Sequence, residues 1–259
     1  MDGTRHEYLG GGITAVVSEA HSFGTDAVLL AHFASPGKWA VCCDLGSGCG
    51  IIPLLWCRHE GGRITAVELQ PLGVKQIEEA IELNSLSDRL TAVNADLRDL
   101  KGRVPFGCFD LVTMNPPYKA SGAGIESSSA PDKIARHETM CSLSEVCAVA
   151  AKLLNFGGRF CVCIRPERLC ELFCEMRSAG VEPKRLRLVA KCPGKAPWLV
   201  LVEGRRGGKS GMTVMPDLFV HGGDGGYSAE IKIIVTAAAQ LGDVNGDGYI
   251  DSADALLCL

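Results

Sequence analysis

The sequence predicts a doubly wound α/β fold, with a mostly parallel sheet covered by helices on both faces. Short apolar runs alternate with longer helical segments along most of the chain. A glycine-rich turn follows the apolar run WAVCCDLG, residues 39–46, where a first strand would pass into its helix. The 259 residues are enough to bury the core of one such domain with an appendage.

Seven strands are expected in the sheet. Five apolar runs predict the parallel strands, within residues 39–46, 63–70, 89–97, 109–115 and 158–167. Residues 185–190 and 197–206 predict a terminal antiparallel hairpin. The intervening helices are expected within residues 50–60, 71–86, 142–158 and 168–180; the third opens with a Ser-x-x-Glu capping box at Ser142 and Glu145 and is expected to end at glycine.

The domain is expected to span residues 1–238, with an extension over residues 1–38 and a separate tail over residues 239–259. GITAVV, residues 12–17, predicts a hairpin strand, and TDAVLLAHFA, residues 25–34, predicts a short helix. An extension of this length leaves no room for a further N-terminal domain.

The composition is that of an ordinary soluble globule, with 22% charged residues and a net charge of −4. This charge argues against wholesale coating of nucleic acid but allows a local basic surface. No apolar run approaches the roughly 18 residues that a membrane span needs, and the N-terminus lacks the apolar segment of a signal peptide. We therefore expect a cytoplasmic protein without membrane contact, in which the thirteen cysteines are free thiols.

Acidic residues follow three successive predicted strands, and they indicate a cofactor site. Asp44 precedes a turn containing Gly46 and Gly48, Glu68 ends the second strand, and Asp96 ends the third. Glu68 can accept hydrogen bonds from both hydroxyls of a ribose, Asp44 can hold an ammonium group, and Asp96 can reach an adenine amine. This set suits S-adenosylmethionine better than NAD, although helix caps, turns or solvated strand ends would also explain each carboxylate.

The fourth strand runs into Asn115, Pro116, Pro117 and Tyr118, which predict a rigid turn beside that cofactor site. A conjugated amine is a poor nucleophile because its lone pair is delocalised. The Asn115 side-chain oxygen and the Pro116 carbonyl can accept its two hydrogens and localise the lone pair. Tyr118 supplies an aromatic face on which a planar target stacks. A purely structural turn is the alternative.

With these motifs the chain resembles the bacterial class I N6-adenine methyltransferases that act on valine tRNA. DLGSGCGI, VELQ, NADL and NPPY occur in order, and the resemblance spans roughly residues 5–235. It implies a Rossmann-like class I methyltransferase fold. It also implies cofactor contacts from Asp44, Gly46, Gly48, Glu68, Leu69, Asp96 and Leu97, and a target amine held by Asn115, Pro116 and Tyr118. The same tetrapeptide serves enzymes that methylate glutamine in release factors, and this alternative stays open.

A basic stretch between residues 184 and 209 predicts a surface that contacts RNA near the target site. It holds eight basic residues against the single acidic residue Glu203. The expected contacts come from Lys184, Arg185, Arg187, Arg205 and Arg206. An ordinary solvated face is the alternative. We expect tRNA as the partner because a splayed anticodon loop suits a small enzyme without a recognition domain.

The tail follows a different pattern. Asp243, Asn245, Asp247 and Asp254 fall at positions 1, 3, 5 and 12 of an EF-hand-type loop. The tail resembles a single calcium repeat of a dockerin module, and a lone repeat is expected to bind calcium weakly or not at all. A cohesin-like partner is not expected. A secreted, scaffold-borne module is a third interpretation of the chain, which rests on this tail alone and predicts disulfides.

Overall fold

The computed structural model describes residues 3–18, 21–116, 141–222 and 225–238. Its eleven strands are β1 (Arg5–Gly10), β2 (Ile13–Val17), β3 (Cys42–Leu45), β4 (Ile64–Glu68), β5 (Leu90–Asn94), β6 (Phe109–Met114), β7 (Leu154–Ile164), β8 (Val181–Ala190), β9 (Pro197–Arg206), β10 (Thr213–Val214) and β11 (Leu218–Phe219). Its helices are α1 (Thr25–Ala34), α2 (Ile51–Cys57), α3 (Pro71–Leu83), α4 (Leu143–Leu153), α5 (Leu169–Ser178) and α6 (Ala229–Ala238).

The central sheet has the order β10-β8-β9-β7-β6-β3-β4-β5, and β11 also pairs with β8. Strands β3 to β7 are parallel, whereas β9 runs antiparallel to both β7 and β8. This confirms the predicted α/β fold and its terminal hairpin. Seven strands form the sheet as expected, and the two-residue strands β10 and β11 extend it. Strands β1 and β2 form a separate hairpin.

Helices cover both faces of the sheet, and the alternation of side chains along β7 shows how. Cys161 and Cys163 belong to the core on the face of α1, α2 and α3. Phe160 and Val162 belong to the core on the opposite face, with α4 and α5. Successive strand residues point to opposite faces, so one buried strand contributes to both cores. In the described part of the chain all cysteines are free thiols, as expected.

The predicted capping box at the start of α4 is present. The Ser142 hydroxyl accepts from the Glu145 amide at 3.2 Å, and the Ser142 amide donates to the Glu145 carboxylate at 2.8 Å. The predicted end of this helix at Gly157–Gly158 is wrong. The chain turns extended at Leu154, which pairs with Phe109 at the start of β6. Pairing with the sheet therefore overrides the helical pattern from Leu154 onward, three residues before the first glycine.

The chain changes direction across the sheet between β3 and β6. From β3 the next strands, β4 and β5, lie on one side, whereas β6 and β7 lie on the other. Asp44 pairs with Thr113 and Leu45 with Met114 in the register of the two strands. The loops that follow β3 and β6 thus leave the sheet side by side, at the place where α/β folds bind ligands. Below, the carboxyl edge is the edge where β3 to β7 end, and the amino edge is where they begin.

Candidate active site at the carboxyl edge

The loop between β3 and α2 is a cradle built from glycine. Gly46, Gly48 and Gly50 have positive φ of 65°, 57° and 83°, which residues with a Cβ atom rarely adopt. Gly73 at the start of α3 approaches this loop closely, because a Cβ there would lie 2.7 Å from the carbonyl oxygen of Gly48. No atom lies within 4 Å of a Cβ placed at Gly48, so the backbone of the cradle is open to a close-fitting ligand there.

Asp44 lies beneath this cradle and is only 2% exposed. Its two carboxylate oxygens accept hydrogen bonds of 2.6 Å from the hydroxyls of Ser47 and Thr113. Burial raises the pKa of the Asp44 carboxyl to about 7, although both hydroxyls lower it. Asp44 therefore joins the glycine loop to β6, a role that its position in the sequence did not predict. Its contact with an ammonium group stays a prediction.

Glu68 ends β4 beside the cradle and is buried. One carboxylate oxygen accepts from the amide of Gly48 and the other from the amide of Gln70, both at 2.8 Å. A carboxylate oxygen has two lone pairs, so each retains capacity for a ligand hydroxyl. Leu69 follows with an exposed side chain. The structure thus brings Gly46, Gly48, Glu68 and Leu69 together.

Asp96 and Leu97 follow β5, farther from the switch between β3 and β6. Arg98 donates to both carboxylate oxygens of Asp96, and this guanidinium lowers the pKa of the carboxyl below its ordinary value. Leu97 is buried in the core on the face of α4 and α5. Asn94 ties this region to β4, because its side-chain amide donates to the carbonyls of Glu68 and Leu69 at 3.0 and 2.9 Å.

The predicted catalytic turn begins directly where β6 ends. Asn115 is half-buried and Pro116 is buried. The Cys163 thiol on β7 donates to the side-chain oxygen of Asn115, with sulfur and oxygen 3.0 Å apart. The other two residues of the predicted turn, Pro117 and Tyr118, lie outside the described residues. Asn115 therefore stands next to the β3 cradle, with its side chain in contact with the neighbouring strand.

The five basic residues predicted to contact RNA near this turn require a correction. Arg205 pairs with Arg159, the sixth of the eleven residues of β7, which lies four residues or about 13 Å before Cys163. Arg206 lies at the amino edge, because it pairs with Val181 where β8 begins, and Lys184 lies three residues farther along β8. Alternating strand directions explain why these residues are separated from the predicted catalytic turn, since they divide a basic run that is continuous in sequence between the two edges.

The side chains of Arg185 and Arg187 bind other parts of the same domain. One nitrogen of Arg185 donates to the carboxylate of Glu203 and to the carbonyl of Phe33, both at 2.8 Å. Arg187 is buried and donates to both carboxylate oxygens of Glu230 at 2.5 and 2.6 Å. These contacts attach α1 and α6 to the antiparallel strands, and they occupy the two guanidinium groups with internal partners.

Lys184 and Arg206 also have internal partners. The Lys184 ammonium donates to the carbonyls of Lys209 and Gly211 at 3.0 and 2.5 Å. The Arg206 guanidinium donates to the carbonyl of Leu154. The structure therefore does not support a contact between these residues and RNA beside Asn115.

Sequence reasoning missed three polar side chains of this site: Ser47, Thr113 and Cys163. Thr113 carried a signal, because a hydroxyl within the apolar run FDLVTM needs a buried acceptor. Cys163 carried none, since the neighbour of β6 at this point follows only from the pairing of the strands.

The calcium ligands predicted in the tail, Asp243, Asn245, Asp247 and Asp254, lie outside the described residues. Within the described ranges, no cluster of histidine, cysteine or acidic residues has the arrangement of a metal site. The helices in those ranges are also too short or too polar to cross a membrane.

Comparison with known proteins identifies relatives of this chain. Residues 25–123 match the family described as the TRM5/TYW2 methyltransferase domain. The tRNA1(Val) (adenine(37)-N6)-methyltransferase of Shigella dysenteriae is 30% identical over 221 residues, which cover 84% of this chain and 88% of that protein. The protein of the same name from Cronobacter sakazakii is 30% identical over 214 residues, with 81% and 84% covered.

Solved structures support the fold. A predicted O-methyltransferase from Agrobacterium tumefaciens has a TM-score of 0.68 at 20% identity, with 83% of this chain and 97% of that chain covered. TYW2 from Pyrococcus horikoshii, in complex with MeSAdo, has a TM-score of 0.52 at 18% identity, with 79% and 72% covered. The fold is the Rossmann-like class I methyltransferase fold, and the chain belongs to the tRNA1(Val) (adenine(37)-N6)-methyltransferase family.

Proposed function

We propose that the chain transfers a methyl group from S-adenosylmethionine to the exocyclic N6 of an adenine in tRNA, at position 37 beside the anticodon. One observation carries this proposal: Asn115 follows β6 directly beside the glycine cradle that follows β3. An amine held at Asn115 would therefore lie next to a cofactor held in the cradle, as direct transfer between them requires.

The residues of the cradle fit that cofactor. Glu68 is fixed by two backbone amides and can accept the ribose hydroxyls, and the glycine loop admits the methionine part closely. Leu69 would pack against the adenine. Asp44 would attract the ammonium group when it is ionised. When bound, the cofactor supplies an electrophilic methyl group on a sulfonium centre, which needs no further activation by the protein.

Asn115 and Pro116 would prepare the amine. The Asn115 side-chain oxygen and the Pro116 carbonyl accept its two hydrogens, so the nitrogen lone pair points away from the ring and towards the methyl group. Pro116 holds its carbonyl with little conformational freedom, which limits reorganisation during the reaction. The methylated nitrogen is cationic and acidic, and it loses one proton to water. Stacking of the base on Tyr118 completes this proposal.

The glutamine alternative is not favoured, because the relatives named above are tRNA methyltransferases. We propose that this reaction takes place in the cytoplasm, which is consistent with a tRNA substrate.

The decisive experiment supplies the protein with methyl-labelled S-adenosylmethionine and either total tRNA or purified release factors. We expect label in tRNA alone, released on digestion as N6-methyladenosine. Asn115→Ala should lower kcat by about 1,000-fold, since it removes an acceptor used in the transition state, and should leave cofactor affinity within about twofold. Label in release factors, or near-normal turnover by Asn115→Ala, would refute the proposal.

A further inference from the structure

The amino edge of the sheet carries three exposed aromatic side chains, far from the proposed active site. Trp39 is 72% exposed, Phe106 is 46% exposed and Phe156 is 85% exposed. Trp39 precedes β3, Phe106 precedes β6, and Phe156 lies near the start of β7. We call these three residues the aromatic row. Large aromatic rings usually bury most of their surface, so three at one edge indicate a contact surface.

Asp110 fixes the spacing of the aromatic row. Its carboxylate accepts from the amide of Val41 at 2.9 Å and from the side-chain amide of Asn155 at 2.6 Å. Asp110 thereby joins the beginnings of β3, β6 and β7, which are neighbours in the sheet. Since adjacent strands lie about 4.8 Å apart, the three chain segments that carry the rings are neighbours along this edge.

Basic groups accompany the rings. The Lys38 ammonium lies 5.2 Å from the centre of the Trp39 ring, and Glu60 approaches it at 3.6 Å. Lys152 is exposed. Its carbonyl accepts from the amide of Gly107 at 2.9 Å, so Lys152 lies beside Phe106 in the fold.

Phe156 has a basic neighbour as well. Its ring packs over Gly207, where a Cβ atom would collide with the ring. Arg177 is 65% exposed nearby, where it pairs with Glu182 at 3.1 Å. Flat rings interleaved with cations match the chemistry of unpaired nucleotides, whose bases stack on aromatic faces while phosphates approach ammonium and guanidinium groups.

We propose that the aromatic row is a second RNA-binding site, which takes unpaired nucleotides of the tRNA outside its anticodon arm. This inference rests on the proposed function. Strand β6 has six residues, so about 20 Å separate Phe106 from Asn115. The loop that delivers the target adenine to the carboxyl edge cannot also cover the amino edge, whereas another part of a large folded RNA can.

The test compares full-length tRNA with a synthetic anticodon stem-loop as substrates. Phe156→Ala and Trp39→Ala should each lower kcat/KM for full-length tRNA by about tenfold, since stacking of one base is lost. They should change kcat/KM for the stem-loop by less than about twofold. Leu83→Ala, which truncates an exposed apolar side chain at the end of α3, is the matched control and should leave both values unchanged.

Equal losses on both substrates, or no loss on either, would overturn the inference. Fluorescence anisotropy of labelled tRNA, measured without cofactor, reports binding even if the RNA is not methylated, so failure of the proposed function is distinguishable. Wild-type protein should bind full-length tRNA more tightly than the stem-loop, and Phe156→Ala should reduce this difference by about tenfold. Light scattering that showed a wild-type dimer and a Phe156→Ala monomer would instead assign the aromatic row to self-association.

Discussion

Asp44 lies near the end of β3 and Asp96 follows β5 in the same sheet, yet the structure gives their carboxylates opposite surroundings. Asp44 is buried between two hydroxyls, and burial raises its pKa to about 7. Asp96 is partly exposed beside Arg98, and its pKa is lowered. Acidic residues at strand ends therefore do not all have the same surroundings. Asp44, next to the switch between β3 and β6, lies in the cradle, whereas Asp96, farther from the switch, lies outside it.

The largest expected effect on cofactor affinity separates Glu68, in the cradle, from Asp96, which lies farther from the switch between β3 and β6. Glu68→Ala removes a carboxylate that holds the amides of Gly48 and Gln70 and would hold both ribose hydroxyls. We expect its affinity for S-adenosylmethionine to fall by about 100-fold, as loss of two hydrogen bonds to a charged group implies. Isothermal titration calorimetry gives the value.

Asp96→Ala is the matched control for that experiment. Its carboxylate is screened by solvent and already paired with Arg98, so we expect an affinity loss below about threefold. An equal loss in both variants would show that Asp96 contacts the adenine strongly, and that burial does not rank these carboxylates.

The sequence predicted the α/β fold because its strands are short apolar runs separated by helices of clear period. It predicted the glycine cradle and Glu68 because both depend on local chain geometry at a strand end. It misplaced the basic residues, because the edge of the sheet at which a residue lies, and the face to which its side chain points, depend on strand direction and pairing. A linear pattern does not encode these. Arg187 shows this, since its ion pair with Glu230 joins residues 43 positions apart.

The second prediction tests the link between the cradle and β6. Thr113→Val keeps the side-chain shape but leaves one oxygen of buried Asp44 without its hydroxyl donor. We expect the free energy of unfolding to fall by about 1–3 kcal/mol, measured by urea denaturation. Thr91→Val, on an exposed position of β5, should change it by less than about 0.5 kcal/mol. Equal effects at the two positions would mean that the Asp44 contact contributes nothing particular to stability.

The third prediction concerns pH. The pKa of Asp44 is raised from an ordinary 3.8 to about 7, so the folded protein holds this proton across that interval while the unfolded chain has lost it. This group therefore makes the fold less stable as pH rises from 3.8 towards 7, and adds no further change above that. Cofactor affinity has the opposite trend, because only the ionised carboxylate attracts an ammonium group.

Affinity for S-adenosylmethionine should thus rise up to about tenfold per pH unit below pH 7 and level off above it. Calorimetry in buffers of different ionisation enthalpy should detect a proton released on binding at pH 6. Asp44→Asn should give a flat profile between pH 5.5 and 7, below the range of about 7.7–8 in which an α-amino group itself titrates. A sloping profile that persisted in this variant would assign the titration to another group.

The smallest expected effect lies at the contact between Cys163 and Asn115. The thiol is a weak donor, but it fixes the amide oxygen of Asn115 from the neighbouring strand. Cys163→Ala should lower kcat about threefold to fivefold, because the amide of Asn115 becomes less ordered, and should leave cofactor affinity unchanged. Cys163→Ser should restore kcat, because a hydroxyl also donates a hydrogen bond. Cys161→Ala removes an equally buried thiol two residues earlier, next to Glu203, and should lower stability similarly without lowering kcat. If both alanine variants reduce kcat alike, the thiol at residue 163 acts by packing, and the orientation of Asn115 is fixed by its own turn.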